Sequence, residues 1–224
     1  IRNKNIGRAL RPFTGFVVNP GETISFNDVV GKRTLNNGFF ESPEYDGTTV
    51  ISGVGGGTCQ ASTTLYGALL KANLDVVVRS PHSMTVSYVK PSMDAAVSDR
   101  GKDLRFTNFL EYPVYIYSNV DSDRAQVNIY GPPCEYDIKL EYEVTDIIKP
   151  KNYKTRKDAQ GKYAYYIDDP MVLESEGKDG LRSKGYRVYY DKVTGQEVER
   201  QLLSTDTYYA SQPVYWVGVH EHEE

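Results

Sequence analysis

Two segments in the first half of the chain carry apolar residues at the three- and four-residue spacing of an amphipathic helix. The first spans about residues 2–13, with an apolar stripe formed by Ile6, Ala9, Leu10 and Phe13. The second follows Thr58, a favourable N-cap, and Asn73 can end it in a left-handed conformation. Its buried face should consist of Ala61, Leu65, Ala68, Leu69 and Ala72.

Beyond this helix the pattern changes to alternation with period two and to short apolar runs, which predicts β-strands. An earlier extended piece, Ile24–Phe26, follows the turn sequence "NPGE". The later strands are expected at Asp75–Arg79, Met84–Val89, Ala95–Val97, Leu104–Thr107, Val114–Tyr117 and Gln126–Tyr130. A helix followed by an antiparallel meander predicts an α+β domain, with the helix packed on the strands.

The segment "YGPPCEYD" at Tyr130–Asp137 marks a domain boundary and predicts domains at residues 1–131 and 132–224. The second domain should be an elongated all-β module without helices. Its turn "KVTG", which ends at Gly195, should form a hairpin. The strands are expected at Ile138–Val144, Tyr163–Ile167, Tyr186–Asp191, Glu197–Leu203 and Val214–Val217.

Composition excludes several classes of protein. With 39% hydrophobic residues, 25% charged residues and a net charge of -4, the chain should be a soluble globular protein without a nucleic-acid footprint. No apolar run approaches the length of a membrane span, and no signal peptide is visible. Because Ile1 is not a natural start, we expect a fragment, which is compatible with removal of a secretion signal or anchor.

The two cysteines do not form a disulfide framework. A bridge between Cys59 and Cys134 remains open, and is disfavoured if Cys59 has a chemical role. Cys59 follows three glycines and opens the second helix, where unpaired N–H groups and the helix dipole favour a thiolate. The same N–H groups could hold the oxyanion of an acyl-transfer intermediate, and the glycines would let a substrate backbone approach.

A nucleophilic cysteine also needs a base and a group that orients the base. His82 fits best, because the other two histidines, His220 and His222, lie in the C-terminal tail. His82 precedes the predicted strand Met84–Val89 and Asp94 precedes Ala95–Val97, and a hairpin between these strands would place the two side chains together. This order of Cys, His and Asp is the one used by papain-like and transglutaminase-like enzymes. Asp94 is preferred for its spacing, and Asp99 and Asp103 remain alternatives.

Each of these residues also has a structural interpretation. A cysteine near a helix start is often a small buried hydrophobe, and a glycine run can simply form a turn. A metal site is disfavoured, because no close ligand pair such as CxxC or HxxxH occurs. We therefore expect no metal and no cofactor.

Several long motifs occur in order, namely "NPGETISFNDVVGKRT", "GVGGGTCQASTTLYGALLKANL", "HSMTVSYV" and "MDAAV". Over about residues 1–131 they resemble the VanW family, named for an accessory gene of vancomycin-resistance clusters and common in Gram-positive bacteria. The resemblance implies a cell-envelope setting and leaves the reaction open. The residues that match the family pattern are Gly55, Gly56, Gly57, Cys59, Gln60, Ser62, Thr63, Thr64, Leu65, Tyr66, His82 and Asp94.

The segment from Gly185 to Gly218 resembles the G-five domain, a thin β module that often follows VanW. It departs from that pattern by the insertion "DKVTGQ" and by the earlier glycines. The resemblance implies binding of cell-wall sugars, N-acetylglucosamine in particular, or an extended spacer.

Together these features predict an extracytoplasmic, wall-associated protein that acts on amide or peptide bonds of peptidoglycan. It would be a cysteine peptidase, an amidase or a transpeptidase-like acyl transferase, with contact to a membrane only through an anchor outside this sequence. The alternative is a non-enzymatic wall- or glycan-binding surface protein with an inert Cys59. The expected catalytic residues are Cys59, His82 and Asp94. The expected substrate-binding residues are Gly55, Gly56, Gly57, Gln60, Ser62, Thr63 and Tyr66.

Overall fold

A computed structural model describes residues 1–46, 49–122 and 124–222. All α-helices in these ranges lie in the first 131 residues, and we number them α1 (Arg2–Leu10), α2 (Phe26–Val30) and α3 (Thr58–Lys71). A 3₁₀ turn, Arg11–Phe13, extends α1. The two long helical segments predicted from apolar spacing are thus confirmed.

Eight strands accompany the helices in the N-terminal region. They form two three-stranded antiparallel sheets, in the orders β1-β7-β8 and β2-β6-β5, and the hairpin β3-β4. The region is therefore α+β, as predicted. The strands are β1 (Phe16–Val18), β2 (Thr23–Ser25), β3 (Glu41–Asp46), β4 (Thr49–Val54), β5 (Asp75–Val78), β6 (Arg105–Thr107), β7 (Val114–Val120) and β8 (Ala125–Tyr130).

The hydrophobic core of this region surrounds α3, which packs against α1, β5 and β8. The apolar stripes of α1 and α3 face each other, and Ala9, Leu65 and Leu69 are completely buried. Phe13 and Phe26 stack beside them with ring centroids 5.6 Å apart. This packing fixes the start of α3 against α1, and with it the position of Cys59.

Between β5 and β6 the chain forms an irregular segment, which we call the 79–104 loop. The strands predicted at Met84–Val89 and Ala95–Val97 do not form. Pro81 and Pro91 lack the N–H groups that a sheet ladder needs, and Ser92 has a positive φ of 61°. The loop instead bonds to side chains of α3.

The C-terminal region consists of strands, and its described part contains no helix, as predicted. A long antiparallel sheet has the order β13-β12-β9, and a smaller sheet has the order β10-β14-β11, in which β10 and β14 are parallel. The "KVTG" hairpin forms with Gly195 at φ 69°, whereas residues 163–167 are not a strand. The strands are β9 (Tyr136–Ile148), β10 (Lys154–Lys157), β11 (Val172–Ser175), β12 (Gly180–Asp191), β13 (Glu197–Tyr208) and β14 (Val214–Val217).

The long C-terminal sheet packs on the N-terminal region beside α3 and the 79–104 loop. Buried Arg187 in β12 donates to the Leu74 carbonyl at 2.9 Å, and the Tyr189 hydroxyl donates to Asn73 Oδ1 at 2.9 Å. The boundary between domains 1–131 and 132–224 stays a prediction. No helix in the described ranges is long and apolar enough to cross a membrane.

Candidate active site

Cys59 lies in the first turn of α3, one residue after the position at which the helix begins. Gly57 is the N-cap with φ 109°, so the N-cap is one residue earlier than the predicted Thr58. The Cys59 thiol donates to the Val97 carbonyl at 3.3 Å, and the Val97 N–H donates to Sγ at 3.5 Å. The sulfur is thus held between the start of α3 and the backbone of the 79–104 loop.

His82 and Asp94 form a close pair within the 79–104 loop. Nδ1 of His82 lies 2.6 Å from Asp94 Oδ2, and the His82 backbone N–H donates to the same oxygen at 2.7 Å. A carboxylate on Nδ1 leaves Nε2 free to exchange a proton with a reacting group. The Tyr88 hydroxyl lies 3.3 Å from Nε2, on the side of Cys59 and the cleft.

Asp94 is almost completely buried, with 1% of its side chain exposed. Its Oδ1 oxygen accepts hydrogen bonds from Arg79 Nη2 at 2.8 Å and from the Tyr208 hydroxyl at 2.5 Å. Both oxygens of the carboxylate are therefore saturated by donors, which is what a buried charge requires.

Electrostatics shift Cys59 toward the thiolate and His82 toward the imidazolium. Burial alone raises the pKa of the Cys59 thiol, but the hydrogen bond and charge of His82, the Val97 N–H and the charge of Arg33 together outweigh burial, so the pKa lies below its ordinary value. Burial alone would lower the pKa of His82, but the hydrogen bonds with Asp94 and Cys59 raise it to about 9. Burial also opposes charge on Asp94, but the bonds from His82, Arg79 and Tyr208 lower its pKa to about 2.

The two alternative acids lie elsewhere. Asp99 forms a salt bridge with Arg33 at 2.9 Å. Asp103 accepts hydrogen bonds from Ser25 Oγ at 2.7 Å and from Arg105 Nε at 2.8 Å. Neither is among the hydrogen-bond partners of His82, so the geometry favours Asp94 as its partner.

The thiol opens on a cleft of about 460 Å³. The three glycines before Cys59 line it, together with His82, Tyr88 and Val97 from the 79–104 loop, and Arg2, Arg33 and Arg100 bring positive charge.

The glycines are needed for close backbone packing, which was not the reason expected from the sequence. A Cβ on Gly56 would lie 2.6 Å from the Pro43 carbonyl oxygen and 2.8 Å from that of Ser42. Gly55 adopts φ 99°, which residues with a side chain rarely do. The turn that presents Cys59 therefore depends on these glycines, whatever they contribute to substrate approach.

The other expected substrate-binding residues lie on α3 outside the described lining of the cleft. Gln60 accepts from Arg2 at 3.2 Å, and buried Tyr66 faces the Arg79 guanidinium at 5.7 Å. Ser62 and Thr63 bond to the backbone of Ala95 and so attach the 79–104 loop to α3. Their substrate-binding role stays a prediction.

Three residues around the site have no signal in the sequence, namely Arg79, Tyr208 and Asp206. Tyr208 is one of 19 tyrosines and lies 114 residues from its partner Asp94. Only an alignment with correlated substitutions could have pointed to such a contact. Both cysteines are free, so the Cys59–Cys134 bridge does not form.

Comparison with known proteins supports the resemblance seen in the sequence. YoaR, an uncharacterized protein of Bacillus subtilis (strain 168), is 44% identical over 130 residues, which are 58% of this chain and 43% of YoaR. The vancomycin B-type resistance protein VanW of Enterococcus faecalis (strain ATCC 700802 / V583) is 28% identical over 138 residues, 57% of this chain and 48% of that protein. The match spans less than half the length of both relatives.

Part of the chain is also similar to two solved G5 domains. The structure of HP0197-G5 matches 38% of this chain and all of that chain, at 21% identity and a TM-score of 0.19. The IgA1 protease G5 domain matches 41% of this chain and is likewise fully covered, at 19% identity and a TM-score of 0.20. The family of VanW-like proteins matches residues 1–130, more than half of the 224 residues, and the chain therefore belongs to that family.

Proposed function

We propose that this chain is a thiol enzyme that acts on an amide or peptide bond, with Cys59 as nucleophile, His82 as acid and base, and Asp94 as the group that orients His82. The observation that carries the proposal is that Cys59 and His82 line the same open cleft, with His82 Nδ1 2.6 Å from the carboxylate of buried Asp94. A nucleophile, a base and an orienting carboxylate in contact are the usual requirements of acyl transfer.

In the first half-reaction the Cys59 thiolate attacks the carbonyl carbon of the substrate, and a C–S bond forms. We assign the resulting oxyanion to the backbone N–H of Cys59, because N–H groups in the first turn of a helix lack intrahelical acceptors. The C–N bond then breaks, and Nε2 of the His82 imidazolium gives its proton to the leaving amine. The products are a free amine and a thioester on Cys59.

In the second half-reaction a water or an amine attacks the thioester carbonyl, and neutral His82 takes up the proton of the attacking group. Sulfur leaves as thiolate, which restores the ion pair. Attack by water makes the enzyme a peptidase or amidase, and attack by an amine makes it a transpeptidase-like acyl transferase.

Charge in the cleft favours a substrate that carries a carboxylate. Arg33 is paired with Asp99, the only carboxylate in the described lining, so Arg2 and Arg100 leave an excess of positive charge. Stem peptides of peptidoglycan have such carboxylates and suit the wall setting of a vancomycin-resistance-associated family. We accordingly assign the protein to the extracytoplasmic side, with the C-terminal module as a wall-binding element or spacer.

A second candidate is a binding protein without catalysis. It is favoured by the enclosure of the Cys59 sulfur, which the Val97 backbone contacts through both its N–H and its carbonyl. In that case the cleft would hold a wall peptide or glycan, and Cys59 would not react.

Alkylation and product analysis distinguish the two candidates. In a Cys134→Ala background, iodoacetamide should modify Cys59, and the pH at which the rate is half-maximal should lie well below ~8.5, the pKa of a free thiol. The same protein should release an amine from peptidoglycan fragments, and more readily from fragments with a free carboxylate than from amidated ones. Cys59→Ala should abolish release without unfolding the protein. An inert thiol, together with equal fragment binding by parent and Cys59→Ala, would support the binding protein instead.

A further inference from the structure

The end of β13 in the C-terminal module reaches the buried carboxylate of the candidate active site. Tyr208, the last residue of this strand, has 1% of its surface exposed. Its hydroxyl donates to Asp94 Oδ1 at 2.5 Å and accepts the Ser92 N–H at 2.7 Å. A single hydroxyl from the C-terminal module thus contacts both Asp94 and the backbone two residues before it.

A second path from the same strand runs through Arg79. The guanidinium lies between two carboxylates, with Nη2 2.8 Å from Asp94 Oδ1 and Nη1 2.7 Å from Asp206 Oδ1. The three side chains are 7%, 1% and 6% exposed, so water contributes little to their solvation. Because Asp206 also pairs with the Arg79 guanidinium, its negative charge partly offsets the effect of Arg79 on Asp94.

The two oxygens of Asp94 have different partners. Oδ2 accepts from the ring and the backbone of His82, whereas Oδ1 accepts from Arg79 and Tyr208. The contacts on Oδ1 fix the rotation of the carboxylate and therefore the direction of Oδ2 toward the imidazole. Cys59, Tyr88 and, through the charge on Cys59, Arg33 are the titratable groups that act on His82 from the cleft side.

The 79–104 loop, which carries His82 and Asp94, also bonds to the C-terminal module close to each of these two residues. The Tyr209 N–H donates to the carbonyl of Ser83, which follows His82, at 2.7 Å. The hydroxyls of Ser183 and Ser92 lie 2.7 Å apart, and Ser92 precedes Asp94 by two residues. The C-terminal region therefore contacts the 79–104 loop at residues next to His82 and close to Asp94.

We propose that the C-terminal module completes the active site: Tyr208 is a positioning residue for Asp94, and Asp206 acts on Asp94 through Arg79. The inference rests on the proposed function for its catalytic meaning. It assigns the C-terminal module a role in the site itself, in addition to any role as a wall-binding element or spacer.

The sign of each effect follows from charge. Tyr208→Phe removes a donor from Asp94, so its carboxylate becomes a stronger acceptor for His82, and the pKa of His82 should rise. Asp206→Asn removes a negative charge and leaves more of the charge of Arg79 to Asp94, so the pKa of His82 should fall. Each shift should be on the order of half a pH unit, since one hydrogen bond or one screened charge is changed.

The test is an NMR titration of the His82 imidazole in the full chain with Cys134→Ala, its signal assigned by its absence in His82→Gln. The matched control is Tyr189→Phe, which removes a buried tyrosine hydroxyl from the same interface with no contact to Asp94. We expect a rise for Tyr208→Phe, a fall for Asp206→Asn and no shift for Tyr189→Phe. The pH at which Cys59 alkylation is half-maximal should also change in the first two variants and not in the control.

No shift of the His82 pKa in Tyr208→Phe, or the same shift in Tyr189→Phe, would overturn the proposal. A fall in Tyr208→Phe as well as in Asp206→Asn would indicate general loosening of the interface and would equally overturn it. The titration does not require activity. An unreactive Cys59 in the parent protein would therefore count against the proposed function, while the His82 titration would still decide the role of the C-terminal module.

Discussion

At the residue scale, the charge of Cys59 depends on its neighbour His82. The His82 interactions are the largest of the effects that lower the pKa of the Cys59 thiol, and together with the Val97 N–H and the charge of Arg33 they outweigh burial. His82 in turn owes its raised pKa to Asp94 as well as to Cys59. The three side chains therefore act as one unit, and we expect the effects of their substitution to be non-additive.

Because protonation is linked to folding, the free energy of unfolding should depend on pH through His82 and Asp94. Because folding raises the pKa of His82 from 6.5 to about 9, its contribution is complete below pH 6.5 and is lost as the pH rises through about 9. Because folding lowers the pKa of Asp94 from 3.8 to about 2, its contribution is complete above pH 3.8 and is lost as the pH falls through about 2.

We expect the free energy of unfolding to fall on the order of 2 kcal/mol between pH 7 and pH 10 through His82 alone. Urea denaturation of a Cys59→Ser, Cys134→Ala protein measures the part of this fall that comes from Asp94, because no thiol titrates there and the contribution of Cys59 to the His82 pKa is removed. His82→Gln in the same background is the control and should flatten the alkaline part of the curve. An unchanged slope in that variant would mean that His82 is not charged in the folded protein.

At the element scale, the turn before α3 determines where the nucleophile lies. Asn5 on α1 donates from Nδ2 to the carbonyl of Gly56 at 3.0 Å and to that of Phe40 at 2.9 Å, so one side chain joins α1, the turn and the chain before β3. The turn has no room for a side chain at Gly56. Cys59 is thus presented by a tightly packed turn.

Gly56→Ala should lower the free energy of unfolding by about 1–3 kcal/mol, because its Cβ would overlap the carbonyl oxygens of Ser42 and Pro43. Gly67→Ala is the matched control. Gly67 lies within α3 with no atom within 4 Å of the added Cβ, so alanine should stabilise the helix by about 0.5–1 kcal/mol. Chemical denaturation together with Cys59 alkylation measures both, and equal stability of the two variants would contradict the packing argument.

At the scale of the whole molecule, buried polar contacts join the two regions. Arg79 with Asp206, Tyr208 with Asp94, and Arg187 with the Leu74 carbonyl lie in or beside the interface. Separation of the regions would break these contacts and expose to water Leu140 and Leu203, which pack against the N-terminal core. These contacts favour cooperative unfolding of the two regions.

We therefore expect residues 1–131 and 132–224 to unfold in one transition. The single tryptophan, Trp216, lies in β14 and reports on the C-terminal region by fluorescence. The described helices all lie in the N-terminal region, so circular dichroism at a helical wavelength reports on that region. The two urea curves should coincide in the parent protein. Separate midpoints would show that the regions are independent domains.

The sequence by itself determined the features that depend on a few neighbouring residues. Apolar spacing was enough for α1 and α3, Asn73 adopts the expected left-handed conformation with φ 60°, and Gly195 closes the expected hairpin. The motifs around Cys59 were enough to identify the family. In each case the free energy that fixes the conformation comes from local backbone preference or from one continuous apolar face.

Tertiary structure alone decided the features that depend on distant partners. Polar and apolar residues alternate in parts of the 79–104 loop as they do in strands. Its backbone nevertheless bonds to side chains of α3 and β13 and not to a neighbouring strand. Asp94 therefore reaches His82 without the expected hairpin. The burial of Asp94 requires donors on both of its oxygens, and Tyr208 supplies one of them from 114 residues away. No local pattern encodes such a contact, because its energy arises only when the folded chain removes water from all the groups together.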